Sequence, residues 1–193
     1  MTKITRDSLM SLEAYARERP ALRAKIIPHR RLRSVALGEH INLQFEDEQT
    51  VRYQIQEMLR IEKIFEEQGI QDEINVYGPL APDGANWKAT MLIEYPDEAQ
   101  RRVELARLLH VENKIWVRVA GHDKVFAIAD EDLDRTTADK TSAVHFLRFE
   151  LASAMVAAAK SGQAIAMGVD HPNYVVSLEV PEPTRHALVA DLA

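Results

Sequence analysis

The sequence predicts an α+β fold, with a largely antiparallel or mixed sheet of about six strands and four to five packed helices in a single domain spanning residues 1–193. Three observations lead there. Short segments alternate apolar and polar residues with the period of a strand, as where Ile41, Leu43 and Phe45 share one face and Asn42, Gln44 and Glu46 the other. Longer segments between them repeat apolar residues at helical spacing. Turn chemistry at Pro82-Asp83-Gly84, at Gly121-His122-Asp123 and around His171-Pro172-Asn173 punctuates the strand segments. With 46% hydrophobic and 28% charged residues, the chain can bury a core without metal or disulfide support.

Residues 1–33 read as a basic helix and arm. Leu9, Leu12 and Ala16 mark a helix over 6–18, Pro20 ends it, and Pro28 breaks the segment behind it. The strand 40–46 follows. Asp47 and Glu48 then open a helix to residue 68, placing acids where the helix dipole favours them, with Gly69 as terminator. Val51, Ile55, Met58, Leu59 and Phe65 form its buried stripe, and Arg52, Gln56, Lys63 and Glu66 its wetter side. A short helix over 70–76 precedes the loop 78–84, and 87–95 is a strand. Pro96 and Asp97 open a helix to 109, and 115–119 with 124–129 form a hairpin.

After an acidic stretch at 130–134, residues 141–160 read as one buried helix, because Val144, Phe146, Leu147, Phe149, Leu151 and Met155 leave it no broad polar face. Gly162 ends it. Residues 164–169 and 174–180 make a last hairpin, and 184–192 a terminal helix.

Composition removes several function classes. No apolar run approaches the roughly 20 residues that a bilayer-crossing helix needs, so no membrane association is expected. The first residues lack the apolar stretch and cleavage site of a secretory signal, which predicts a cytoplasmic location. The absence of cysteine excludes disulfides, thiolate zinc sites, cysteine-ligated iron–sulfur clusters and thiol nucleophiles. Net charge is −6, yet residues 1–33 carry nine Lys or Arg against three acids. Such an arm meets phosphate, an acidic partner, or the acidic body of its own chain. The overall acidity and 6% aromatics disfavour nucleic acid as a general partner.

On a helix over 141–160, Thr141, His145 and Arg148 share one narrow stripe, and a guanidinium in so apolar a setting needs an anion. Two arrangements meet that need. One is a buried ion pair with Glu57 or Glu62 of the 47–68 helix, with His145 hydrogen-bonded beside it. The other is a pocket for a bound anion. A metal site built from His145, Glu150, Glu57 and Glu62 has little support, since no Glu-x-x-His occurs and His145 and Glu150 stand about 140° apart around a helix. The stretch 130–134 lacks the central Gly and terminal Glu of a calcium loop and reads as a solvated turn. His171, at a hairpin tip, is a turn residue or an acid–base group. The glycine motifs that cradle nucleotide phosphates and the Gly-x-Ser-x-Gly of serine hydrolases are missing, and no cofactor or metal is predicted.

Four strings carry a resemblance: FEDEQTVRYQIQEMLR at 45–60, PDG at 82–84 with KATMLIEY at 88–95, ADEDL at 129–133, and KTSAVHFLRFE at 140–150. Together they resemble a bacterial family of uncharacterised proteins classed as a domain of unknown function, over essentially the whole chain. The resemblance implies a gene neighbourhood with a rubrerythrin-like protein and an iron–sulfur oxidoreductase subunit. That context implies an accessory or interaction protein of a redox or peroxide-handling system, with a protein partner and no cofactor of its own; a homo-oligomer is compatible with it. The strings make Arg52, Gln56, Glu57, Arg60, His145 and Arg148 candidate ligand-binding or buried polar positions, and Glu62 joins them because it falls near the apolar stripe of its own helix. The alternatives are an enzyme or binding protein holding an anion at Arg148 and Arg60, with His145 or Glu57 as acid–base group, and a His/carboxylate metal protein.

Overall fold

The computed structural model describes residues 4–193, in which six α-helices and nine strands, numbered in chain order, build the α+β fold. One sheet runs in the order β1 (Ser34–Leu37), β2 (Ile41–Phe45), β3 (Asn86–Ile93), β7 (Val144–Glu150), β6 (Ile128–Ala129). The other runs β5 (Val125–Phe126), β4 (Ile115–Val119), β8 (Ile165–His171), β9 (Tyr174–Glu179). Every pairing is antiparallel. The helices are α1 (Leu12–Leu32), α2 (Glu48–Glu62), α3 (Glu67–Tyr77), α4 (Glu98–Arg107), α5 (Ser153–Lys160) and α6 (Glu182–Val189).

The apolar faces of both sheets contribute to one core. Leu43, Met91 and Phe149 of the first sheet and Val117, Met167 and Val169 of the second are fully buried there, with Leu105, Met155 and Leu188 supplied by α4, α5 and α6. Each such side chain withdrawn from water stabilises the fold by about 1.5–3 kcal/mol before entropy is counted. The sheets are stitched at two places. β5 pairs with β4, the chain passes through Ala127, and β6 pairs with β7, so one extended segment belongs to both sheets. At the other place, the Tyr174 hydroxyl donates to the Leu37 carbonyl at 2.6 Å and accepts from the His40 N–H at 3.1 Å. Gly38 sits in that turn with φ +74°, and a Cβ on it would lie 2.5 Å from the Tyr174 hydroxyl, so both conformation and space require glycine.

Several expectations are corrected. Residues 141–160 are not one helix: β7 occupies Val144–Glu150 and only Ser153–Lys160 is helical. The apolar residues alternate, with His145, Leu147 and Phe149 buried and Val144, Phe146, Arg148 and Glu150 turned outward. This period-two pattern beside β3 outweighs a count of apolar residues. Residues 34–37 form a strand that alternation alone did not reveal. The predicted 124–129 strand divides between the two sheets.

Pro20 does not end the first helix, and residues 6–8 are a separate 3-10 turn. α1 starts at its Ser11 N-cap and runs 21 residues through Pro20 and Pro28. Both prolines lie on the exposed side, where water can satisfy the carbonyls that lose a donor. The start of α2 is as expected, with Asp47 and Thr50 forming a reciprocal capping box. Its end is earlier: Lys63 adopts a left-handed φ of 56°, and Gly69 falls inside α3. Consequently Phe65, expected in the buried stripe, is 64% exposed. Val51, Ile55 and Leu59 are buried and join Leu9, Ile70 and Ile74 in a second apolar cluster belonging to the helical layer.

Polar groups dock this layer on the sheet. Glu46 is buried, and its carboxylate accepts from the Thr50 hydroxyl at 2.5 Å and the Thr90 hydroxyl at 2.8 Å, joining α2 to β3. Arg33, 2% exposed, donates to the carbonyls of Phe45, Glu46 and Ala187 and to the Asp191 carboxylate, with Asp47 at 3.5 Å. His29 reaches the same Asp47 at 2.6 Å. Burial pushes Asp191 up to about 6 despite the opposing pull of Arg33.

Gly168 tests the packing of the second sheet. A Cβ there would lie 2.3 Å from the Val176 carbonyl and 2.4 Å from the Trp116 ring. Gly168→Ala is expected to lower the unfolding free energy by about 1–3 kcal/mol in urea titration, through forced displacement of β9 or the indole.

Candidate functional site

The candidate residues fall into three separate places. Arg52, Gln56, Glu57 and Arg60 lie together on α2, facing or flanking α1. Val51, Ile55 and Leu59 turn the apolar side of α2 toward α3, which leaves the next positions to meet the basic helix. The Glu57 carboxylate accepts from the Tyr15 hydroxyl at 2.7 Å, from Arg19 through two bonds of 2.7 and 2.8 Å, and from Arg60 at 3.3 Å. Hydrogen bonding to Arg19 first, then to Tyr15 and Arg60, holds Glu57 down to about 2. Burial, and secondly the bond to Glu57, drives the Tyr15 hydroxyl well above the usual tyrosine range. Gln56 is buried and receives the Met10 N–H at 2.6 Å. Arg52 and Gln56 also line a groove of about 290 Å³ between α1 and α2. Glu62 does not join them; it is exposed at the end of α2, where, after burial, it helps raise Glu73.

His145 lies elsewhere, on the inward face of β7, with 0% exposure. Its Nδ1 is 2.5 Å from the Asp130 carboxylate. Its Nε2 is 2.8 Å from the Thr141 hydroxyl and 3.1 Å from the Ser142 carbonyl. Thr141 donates its one proton to Glu112 at 2.9 Å, and Thr136 donates to the other oxygen of Glu112 at 2.9 Å. Asp130 takes further donors from the Phe146 N–H at 3.0 Å and Arg135 at 3.2 Å. Asp130 itself sits at φ 52°, a conformation an aspartate tolerates better than most residues, and its N–H is tied to the Phe146 carbonyl at 2.8 Å. The result is a closed chain, Asp130 to His145 to Thr141 to Glu112, in which each ring nitrogen faces an oxygen. A depression of about 490 Å³ is lined by Glu112, Asp130 and Thr136, and His145 lies behind them. The arrangement fixes the 130–141 loop against β7, and the imidazole does not reach the surface.

Arg148 occupies the opposite face of the same strand, so the expected His145/Arg148 stripe does not exist. A strand turns residues three apart to opposite sides, where a helix would bring them together. Its anions are also different from those expected. Glu131 binds it through bonds of 2.8 and 2.9 Å, and Glu150 holds the other side; Glu57 and Glu62 are not its partners. Beside it, Lys88 donates to the Pro79 carbonyl at 2.7 Å, and burial, aided by Arg148 against Asp83, pulls the amine below its ordinary range. Both lie on a groove of about 870 Å³ floored by the outer face of the first sheet. Among the described residues no group of three or more His, Asp or Glu side chains is arranged to hold a metal ion.

Sequence reasoning missed Asp130, Glu112 and Thr136 around His145, and Tyr15 and Arg19 around Glu57. The acidic stretch 130–134 was visible as charge, but nothing local ties its first residue to an imidazole 15 positions on. Arg19 was visible as part of the basic arm, and its pairing with Glu57 matches the reading in which that arm lies on the chain's own acids.

These features define a two-sheet α+β protein in which Glu57, His145 and Arg148 are each bound by partners within the chain. A family model described as "Protein of unknown function (DUF3501)" matches residues 3–192, and the chain belongs to that family. Membership of a family of uncharacterised proteins agrees with the four sequence strings. The chain is similar to the crystal structure of a novel protein of unknown function from Burkholderia pseudomallei K96243, at 52% identity and a TM-score of 0.95, over 100% of each chain. A search of the curated proteins finds no match.

Glu57 gives a pH prediction. Its carboxyl is held below its ordinary 4.5, so the stability it contributes is present above that value and disappears as pH falls toward about 2. Thermal unfolding of the protein and of Glu57→Gln between pH 2 and 7 is expected to show the widest gap near neutrality and convergence at the acid end.

Proposed function

We propose that this chain is an accessory protein that binds another polypeptide of a bacterial redox or peroxide-handling system in the cytoplasm. The outer face of α1 carries the reading. Of its 21 residues only Tyr15 and Ile26 are buried, which leaves most of a long helix unpacked. Ile27 and Leu32 are 48% and 47% exposed on it. Arg23, Arg30 and Arg31 form no ion pair among the described residues. Ile27, with Arg23 and Arg31 within about 40° of it around the helix and neither neutralised within the chain, suits an acidic partner surface that offers an apolar contact, on a chain of net charge −6. The internal pairing of His145, Glu57 and Arg148 supports the same reading, since these groups serve as struts. The redox context rests on the gene neighbourhood implied by the family resemblance, and a chain without cysteine leaves any cysteine-bound cluster to the partner. No described helix is long and apolar enough to cross a membrane.

The test is the native mass of the protein purified from its own host without a denaturing step. A redox polypeptide held at fixed stoichiometry is expected with the unaltered chain and lost from the Ile27→Glu, Arg31→Glu double variant. A homo-oligomer carrying a metal or metabolite adduct, or retention of the partner by the variant, would overturn the proposal.

A further inference from the structure

The groove between α1 and α2 is separate from the exposed face just described and has the composition of a ligand site. Its walls include Leu22, Ile26 and Met10, and its polar lining includes Lys25, Arg52 and Tyr53, around a volume of about 290 Å³. That is at the small end of ligand pockets, which combine apolar walls with a few placed polar groups. Arg52 is the informative residue. One of its terminal nitrogens binds Glu48, one turn back on α2, while its Nε is buried with no hydrogen-bond partner among the described residues. Its other terminal nitrogen makes no hydrogen bond among the described residues, and Arg52 lines the groove. Lys25, across the groove on α1, likewise forms no ion pair among the described residues.

The electrostatics select the ligand. Lys25 and Arg52 are the charged residues of the lining, and Glu48 engages Arg52 alone. The local surplus is cationic within an acidic protein. The second terminal nitrogen of Arg52, which makes no hydrogen bond among the described residues, and the Lys25 ammonium match the two oxygens of a carboxylate. Glu48, sharing the same guanidinium, opposes a dianionic head such as a phosphate monoester. We infer that the groove binds a small amphiphilic monocarboxylate, its head at Arg52 and Lys25 and its short apolar tail against Leu22, Ile26 and Met10.

Calorimetric titration with sodium octanoate, with octan-1-ol as the uncharged control, tests this on the full chain. Saturable binding of one octanoate per chain is expected, with affinity reduced at least about tenfold in Arg52→Met and in Lys25→Met, and with no comparable binding of octan-1-ol. Lys25 is exposed, so its variant retains the fold even if loss of the Glu48 contact disturbs Arg52→Met. No octanoate binding at millimolar concentration, equal affinity in the Lys25 variant, or equal binding of octan-1-ol would each overturn the inference.

Discussion

The buried guanidinium of Arg33 is the constraint on which the arrangement of layers depends. A charge taken out of water must be matched by acceptors at good geometry, or the fold loses several kcal/mol. Here the acceptors come from the end of β2, from α6 and from Asp191 near the carboxyl terminus, with the α2 N-cap Asp47 close by. The residue that follows α1 therefore cannot be satisfied until the helical layer, the first sheet and the last helix are all in place. Asp47 has a double duty, since it also caps α2 and receives His29 of α1. The entry of α1 and the start of α2 are thereby set by one polar knot.

The same economy runs through the other ionisable groups. Glu46 bridges α2 and β3 with two hydroxyls, Glu57 fastens α2 to α1, and His145 anchors the 130–141 loop to β7. Apolar burial drives the two cores, but these directional contacts decide how the helical cluster sits on the sheet, because the two apolar clusters are distinct. The unmatched cations are therefore conspicuous: on the outer face of α1 and in the groove it forms with α2, charge remains that the chain itself does not neutralise.

Much of the fold was legible from sequence where local chemistry and tertiary context agree. The alternation in β2, the capping residues of α2 and the hairpin of β8 and β9 all act within a few residues, and each appears near its expected place. Misreadings arose where a local rule met a nonlocal partner. β7 contains so many large apolar residues that a buried helix and a central strand look alike by composition, and pairing with β3 settled it. Pro20 and Pro28 were breakers by rule, yet both face water, where a helix tolerates them more easily. The site residues on α2 could be selected because they lie on one helix. The partners of His145 and Arg148 could not, since Asp130 and Glu131 reach them only through a loop that doubles back beside β7.

If Arg33 is the knot that joins the layers, its energetic coupling to Asp191 must be large. Urea unfolding of Arg33→Met, Asp191→Asn and the double variant at neutral pH measures it. The account predicts a double variant less destabilised than the sum of the single ones by about 1–3 kcal/mol, because each single change strands its partner in a buried site. Additivity within about 0.5 kcal/mol would contradict it and show that the layers are held by apolar packing alone.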